Sequence, residues 1–501
     1  MAYNYKILQN GSDIRGVALP LNKEEPVTLT TDIAKNIGKA FISWLTEYTN
    51  TKAPDLKIGV GMDSRLSGPA IKTAFIDGIT SKGAKICDFN LATTPAMFMS
   101  TQFEETNCDG AVMLTASHLP PNRNGMKFFT RNSGLEKQDI TKILGIAESG
   151  NFIEDSDKGE VITSDIITPY SLFLTEFIQN KTSEEKPLSG LNIIVDAGNG
   201  AGGFFAEKIL KPLGADINGS LFLEPDGNFP NHAPNPEDKT AIEFIQKAVI
   251  ENSADFGIIF DTDVDRAAVI DKEGNPINRN ALIALLSTIV LKENPETCIV
   301  TDSVTSDGLT TFIESLNGVH HRFKRGYRNV INESIRLNNS GQESWLAIET
   351  SGHAAFRQNY FLDDGAYLVA KVLITLAQMH KQNKSINTLI SDLRQPAESS
   401  EFRIKIDTDE FIAYGNEVIE SLKTYVKKQH GWSPAENNYE GYRVSCDSDN
   451  GDGWFLLRLS LHDPVLPLNI ESNTAGGIKV IAEKLEPFLS KFDKLKNIQL
   501  T

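Results

Sequence analysis

Three apolar runs, each rising through β-branched residues into an aspartate, constrain this chain more than any other feature. LKIGVGMDS (56–64), LNIIVDAGN (191–199) and TCIVTDSVT (297–305) reach Asp63, Asp196 and Asp302, each followed by Ser or Ala. Helical periodicity follows within a few residues, as in PAIKTAFIDGI after Asp63. Uninterrupted apolar runs of this length predict strands buried on both faces, hence largely parallel sheet under helical cover. A second run follows in each segment: DGAVMLTASH (109–118), ADFGIIFDTD (254–263) and SWLAIETSGH (344–353), each ending in polar residues. The repeated order predicts three related α/β units in tandem. In such sheets ligands gather at the carboxyl ends of strands.

The tail breaks the pattern. After QPAESSEFRIKIDTDEF (395–411) comes a helical stretch, then hairpin-like strands with Asn, Asp and Gly turns, then a terminal helix. That order predicts a smaller α+β domain. With 501 residues the chain exceeds what one core supports. Polar stretches at 180–190, 275–280 and 394–400 predict domains at 1–182, 183–280, 281–397 and 398–501.

A formal charge of −17 argues against a nucleic-acid partner, which needs clustered Lys and Arg. Cys87, Cys108, Cys298 and Cys446 lie far apart with no C-x-x-C spacing, as expected of free thiols in a reducing compartment. The first residues, MAYNYKILQNGSDIRG, lack the apolar stretch of a secretory signal, and no run approaches a membrane span. The expectation is a cytoplasmic protein with no membrane partner.

Three loops carry chemistry. LTASHLPPNRNGMK (114–127) places Ser117 just after a strand, beside His118, and a Pro-Pro and Asn-Gly turn folds the chain back toward Lys127. It lacks the G-x-S-x-G elbow of a serine hydrolase. FGIIFDTDVDRAAVID sets Asp261, Asp263 and Asp265 at alternate positions; in extended geometry their carboxylates share one side. Such oxygens select Mg²⁺ or Ca²⁺. An EF-hand is excluded by Arg266 and Lys272 where its loop needs Gly and Glu. A phosphate beside this cluster requires further cations, of which Arg266 is one. AIETSGHAAF offers Glu349 and Ser351 as acceptors for hydroxyls and His353 as a proton carrier. Two more segments suit an anion: GSDIRG, with Arg15, and IESNTAGG (470–477), with Ser472, Asn473, Thr474 and two glycines. Arg443 lies in EGYRV nearby.

Together, and in order along essentially the whole chain, these segments resemble the α-D-phosphohexomutases of the phosphomannomutase/phosphoglucomutase group. TASHLPPNRNGMK is similar to the family's phosphoserine loop, DTDVDR to its metal loop, DGNFPNHAPNP (226–236) to its DGxFPxHxPNP segment, and ETSGH to its sugar-specificity loop. DIRG, GMDSRLSG and EGYR match further motifs. The resemblance implies three similar α/β domains and a smaller, TATA-binding-protein-like fourth around a central cleft. It implies that Ser117 carries the transferable phosphate, that Asp261, Asp263 and Asp265 hold Mg²⁺ against it, and that Arg266 steadies their loop. Lys127 and His353 become acid–base candidates, and Glu349 and Ser351 readers of the sugar. Arg15, Arg65, Arg328, Arg443, Ser472, Asn473 and Thr474 become anion contacts. The implied reaction interconverts hexose 1- and 6-phosphates of mannose or glucose through a hexose 1,6-bisphosphate. The implied partner is a small sugar phosphate, and the assembly a monomer or homodimer. The family's phosphate loop, R-x-S-x-T-E-P, is matched only in part by Ile470–Gly476, which lacks the arginine; Lys479 or Arg443 then supplies the charge. Two alternatives stay open: a mutase-like protein that only binds sugar phosphates, and a haloacid-dehalogenase-like phosphatase with Asp261 as nucleophile.

Overall fold

The strand-to-aspartate runs form as expected, but two of the three sheets they build are mixed. The computed structural model describes residues 3–20, 25–153, 157–460 and 463–500. It comprises two compact units: residues 1–282 with 351–388, and residues 283–350 with 389–501.

The first unit opens with a seven-stranded sheet. Lys57–Met62 lies parallel to Lys85–Leu91 and to Gly110–Leu114, while Arg123–Thr130 runs antiparallel to Gly110–Leu114 and to Asp13–Val17. The expectation of largely parallel sheet is corrected here for a local reason. The turn after Ser117 sends the chain straight back beside the strand it left, and a short connection can only join antiparallel neighbours. The register sets Lys127 opposite Met113. The sheet is covered in part by Thr31–Thr49, whose first turn is capped by Thr30 Oγ1 accepting from Ile33 N at 3.3 Å. Ile37, Phe41 and Leu45, spaced four apart on one helix face, are fully buried. Each such side chain contributes about 1.5–3 kcal/mol.

A second sheet in the same unit repeats the device. Ile193–Asp196 is parallel to Phe256–Phe260, which turns back into antiparallel Ala267–Asp271 and then Pro276–Ile277. The expected boundary near 275–280 thus coincides with this last strand and the start of helix Arg279–Glu293. Both the serine and the aspartate loops are therefore the tips of hairpins that follow a fully buried strand.

In the second unit Cys298–Thr301 lies between Val319–Arg322 and Ser344–Ile348, all parallel. The tail forms a six-stranded antiparallel sheet ordered Trp432–Pro434, Tyr442–Cys446, Gly453–Leu457, Val465–Ser472, Glu398–Ile406, Leu495–Lys496. Helices Phe411–Val426 and Gly477–Leu489 pack on it through Val418, Leu422, Ile481 and Leu485. Among the described residues no helix is long and apolar enough to cross a membrane. The four cysteines are buried thiols, none in a disulfide.

Candidate active site

Ser117 sits at the mouth of its hairpin in the left-handed backbone region, with φ of +50°. Its Oγ donates to Asp261 Oδ2 at 2.9 Å and accepts from Arg266 Nη2 at 3.0 Å. Arg266 Nη2 also lies 2.7 Å from His118 Nδ1. A guanidinium only donates, so that nitrogen must accept. Arg15, on the neighbouring strand, donates to the carbonyl of Ala116 at 3.1 Å and to Asp13 at 3.0 Å. Ser117, Asp261 and Arg266 thus meet, with Arg15 bonded to the peptide just before the serine.

The three aspartates do meet, but not by strand alternation. Residues 261–265 form a tight turn with Val264 at φ +66°, and the carboxylates converge because the chain curls around them. All three are fully buried, and one oxygen from each lies within 4.8 Å of the others. The ammonium of Lys127 bonds to Asp265 and, at 3.1 Å, to Asp263. Arg266 Nε reaches Asp261 Oδ2 at 3.2 Å, and Thr94 Oγ1 donates to Asp263 Oδ2 at 2.5 Å. Asp263 Oδ1 and Asp265 Oδ1 are buried without a hydrogen bond. Buried oxygens in that condition, clustered with like charges, suit a hard divalent cation, so the cluster is a candidate metal site.

The electrostatics divide the three. Burial, with the charges of Asp265 and Asp263 adding to it, raises the Asp261 pKa well above the usual carboxylate range. Burial would raise Asp265 too, but Lys127, His353 and Arg266 outweigh it and hold that carboxyl well below its ordinary value.

His353 is fixed beside this loop by a bridge with Arg266. Its Nδ1 lies 2.5 Å from Asp363 Oδ2 and 3.9 Å from Asp265 Oδ1. Burial alone would lower its pKa, but the carboxylates of Asp363 and Asp265 override this and hold it up at about 9. The next turn locks the arrangement. Gly365 N donates to the carbonyl of Val264 at 3.1 Å, and a Cβ on Gly365 would meet the Arg266 backbone at 2.8 Å.

The remaining candidates divide. The ETSGH segment passes from one unit to the other between Thr350 and Ser351. In the second unit Glu349 is buried and accepts from Gly326 N at 2.7 Å, close in sequence to Arg328 on helix Tyr327–Asn339. Arg443 is buried and largely engaged: it donates to the carbonyls of Ser303 and Thr305, both at 3.0 Å, and to Asp307, and lies 3.5 Å from the Trp454 ring centroid. Burial, with Arg322 adding to it, pushes its pKa down to about 9.

The 470–477 segment departs from expectation as well. Ile470 to Ser472 end a strand, and the buried Ser472 Oγ is engaged by the carbonyls of Gly451 at 2.6 Å and Thr474 at 2.9 Å. Gly476 N and Ile478 N, the amides an anion would use, already donate to the Glu398 carboxylate at 2.7 and 3.1 Å. Asn473 and Thr474 are exposed beside them, and Lys479 points along its helix toward Glu483 at 3.9 Å. The R-x-S-x-x-acid-Pro spacing occurs instead at Arg458–Pro464, in the preceding hairpin. There Arg458 is buried with its Nε unsatisfied and its Nη1 4.0 Å from Glu440 Oε1, and Ser460 Oγ accepts from Asp463 N at 3.2 Å. Leu461 and His462 lie outside the described residues.

Models of the phosphoglucomutase/phosphomannomutase α/β/α domains I, II and III match residues 6–154, 170–274 and 278–396. A phosphoglucomutase of Neisseria gonorrhoeae is 30% identical over 95% of both chains. The chain belongs to the phosphoglucomutase/phosphomannomutase family. A phosphomannomutase/phosphoglucomutase of Pseudomonas syringae pv. tomato is 32% identical over 94% of this chain and 92% of its own. The crystal structure of a phosphoglucomutase/phosphomannomutase family protein from Burkholderia thailandensis superposes with a TM-score of 0.80 at 26% identity, covering 98% of each chain. The chain is therefore an isomerase of the phosphohexomutase superfamily, built of the family's three α/β domains and a C-terminal antiparallel-sheet domain.

Within this phosphohexomutase fold several residues escaped the sequence. Thr94 belongs to an ordinary helix-start signal, TTP, yet its side chain binds Asp263. Asn235 accepts from Arg266 Nη1 at 3.2 Å. His232 bonds both to Asp196 at 3.0 Å and to the carbonyl of Ala233 at 2.8 Å, so it donates from both nitrogens, and its pKa is raised: burial opposes this but Asp196 prevails. The DGNFPNHAPNP motif was the available signal for the last two.

Proposed function

We propose that this protein moves a phosphoryl group between the 1- and 6-positions of a hexose, with glucose or mannose as the sugar, through phosphoserine 117 and a hexose 1,6-bisphosphate. The observation that carries the reading is the buried contact of Ser117 Oγ with Asp261 and Arg266 inside a cluster of three aspartates. Asp261, Asp263 and Asp265 are the residues that would hold Mg²⁺. When bound, that ion supplies positive charge beside the transferring group.

The chain's own residues do the rest. The Ser117 Oγ–phosphorus bond breaks as a sugar hydroxyl bonds to phosphorus, and the hydroxyl proton passes to a nearby base. Arg266 donates to the serine oxygen as charge returns to it. Lys127 and His353 carry protons at either side of the group in flight, and His353, held up at about 9, keeps its proton at neutral pH. Arg15 meets the phosphate from the neighbouring strand. The sugar then turns and returns its other phosphate to Ser117. Glu349 and Ser351 read its hydroxyls, while Arg458, Ser460 and Arg328 take the distal phosphate, replacing the 470–477 assignment. The domain limits 1–182, 183–280, 281–397 and 398–501 belong to the same reading.

The test is direct. Purified protein with Mg²⁺ and labelled glucose 1,6-bisphosphate should carry label on Ser117, locatable by peptide mass. It should convert glucose 1-phosphate, mannose 1-phosphate or both to the 6-phosphates. S117A should lose turnover entirely. Turnover retained by S117A overturns the proposal, and label on Asp261 instead establishes the phosphatase alternative.

A further inference from the structure

We propose that Arg65 is a positioning residue for Ser117, a role that rests on the phosphoserine reading above. The sequence suggested an anion contact, but the geometry rules this out. Arg65 is 1% exposed. Its Nε donates to Asp63 Oδ2 at 3.2 Å, and Nη1 donates to the carbonyls of Pro120 at 2.7 Å and Arg123 at 3.0 Å. Nη2 donates to the carbonyls of Leu119 at 2.6 Å and of Ser117 itself. A guanidinium has five N–H bonds, and all five are spent inside the protein.

Four carbonyl oxygens of the serine loop therefore converge on one cation. Dipoles aimed at a single point repel one another, and without a positive charge there the loop would open. The Pro120 carbonyl also accepts from Arg123 N at 3.0 Å, and Arg123 begins the strand paired with Asp13–Val17, so Arg65 ties the turn at Ser117 and Leu119 to the base of that strand. The consequence falls on Ser117. Its carbonyl is held by Arg65 and by Thr262 Oγ1 at 2.8 Å. Its N–H donates to Thr115 Oγ1 at 2.8 Å, and that hydroxyl donates to Asp63 Oδ2 at 2.7 Å. Asp63 Oδ1 in turn accepts from Arg65 N at 3.0 Å. Both peptide groups flanking the serine Cα are thereby fixed, φ is held positive, and Oγ is aimed at Asp261 and Arg266. The strut is clamped from behind: a Cβ on Gly227 would lie 2.4 Å from Ser64 O and 2.8 Å from Arg65 Cα.

A strut of this kind touches no substrate. It sets where the reacting oxygen sits, so its loss should appear in kcat and not in KM. R65K keeps the charge but has three donors and no fork, so it cannot hold four carbonyls. A displacement of about 1 Å at the reacting atom costs about 100-fold, so R65K should lose about that much in kcat, with KM for the hexose 1-phosphate changing less than about twofold. T262V removes only the second donor to the Ser117 carbonyl and should lose up to about tenfold in kcat, again at unchanged KM. Both are compared with wild type for cooperative melting and for the rate at which glucose 1,6-bisphosphate labels Ser117. Wild-type kcat in folded R65K, or a KM rising in step with a falling kcat, overturns the proposal. Where R65K does not fold, unchanged kcat in T262V overturns it. Failure of the wild-type protein to take label on Ser117 instead overturns the functional reading beneath it.

Discussion

Around Ser117 in the first unit, buried charges answer one another: Lys127 bonds two aspartates, Arg266 a third, and His353 sits between Asp265 and Asp363. In the second unit Asp307 pairs with Arg322 and Arg443, but three other carboxylates hold backbone. Glu349 accepts from Gly326 N, Glu440 from Arg325 N at 3.1 Å, and Glu398 from the first amides of the terminal helix. The first arrangement is an electrostatic cage whose members lose their balance if one is removed. At Glu349, Glu440 and Glu398 the acids shape loops. The difference teaches where to expect failure of chemistry and where to expect failure of recognition.

Removing Lys127 should break the cage most severely. K127M leaves Asp263 and Asp265 buried without their shared cation, and breaking a buried pair costs about 3–5 kcal/mol. Its melting temperature without metal should fall sharply, and millimolar Mg²⁺ should recover a larger shift in K127M than in wild type. Equal Mg²⁺ shifts in both would detach the lysine from the aspartate cluster. The corresponding cut in the second unit is R458A. It should raise KM for hexose 1-phosphate by about 10–100-fold, the worth of a charge-assisted contact of about 1.5–3 kcal/mol. Labelling of Ser117 should still reach completion in R458A, and a defect in maximal labelling would merge the two regions.

A subtler probe is pH. His353 has a folded pKa of about 9, above its ordinary value, so its contribution is fully present below about pH 6.5 and is lost as pH rises through 9. The stability difference between metal-free wild type and H353Q in urea should therefore shrink across that interval, by an amount on the order of 3 kcal/mol. A pH-independent difference would dissociate the imidazole from its carboxylates. The smallest effect is expected from E398Q, which weakens the cap of the terminal helix, should lower the melting temperature only slightly and should leave KM unchanged. A raised KM would return the 470–477 segment to the substrate.

What was legible in the sequence was connectivity. The apolar run before Ser117 and the Pro-Pro and Asn-Gly turn after it announced a hairpin returning Lys127, and the alternating aspartates announced a cluster. The direction of strands was less legible, because burial is nearly continuous in the antiparallel strand Arg123–Thr130 just as in a parallel one, with Lys127 buried at its centre. The geometry of the aspartates was misread because period-two spacing suits a strand, whereas a left-handed Val264 curls the same residues into a turn. Arg65 and Arg443 were misread for a shared reason: their partners are backbone carbonyls, which carry no letter in a sequence. The phosphate loop was sought at ESNTAGG because its polar letters fit, while RLSLHDP fits the spacing with apolar letters between.

The positive φ of Ser117 has one more consequence. Threonine carries the same nucleophilic oxygen, yet its branched Cβ is a poor tenant of that backbone region. The choice of alcohol at this position is then made by torsion and not by reactivity, and a threonine swap should discriminate the two as cleanly as deleting the hydroxyl.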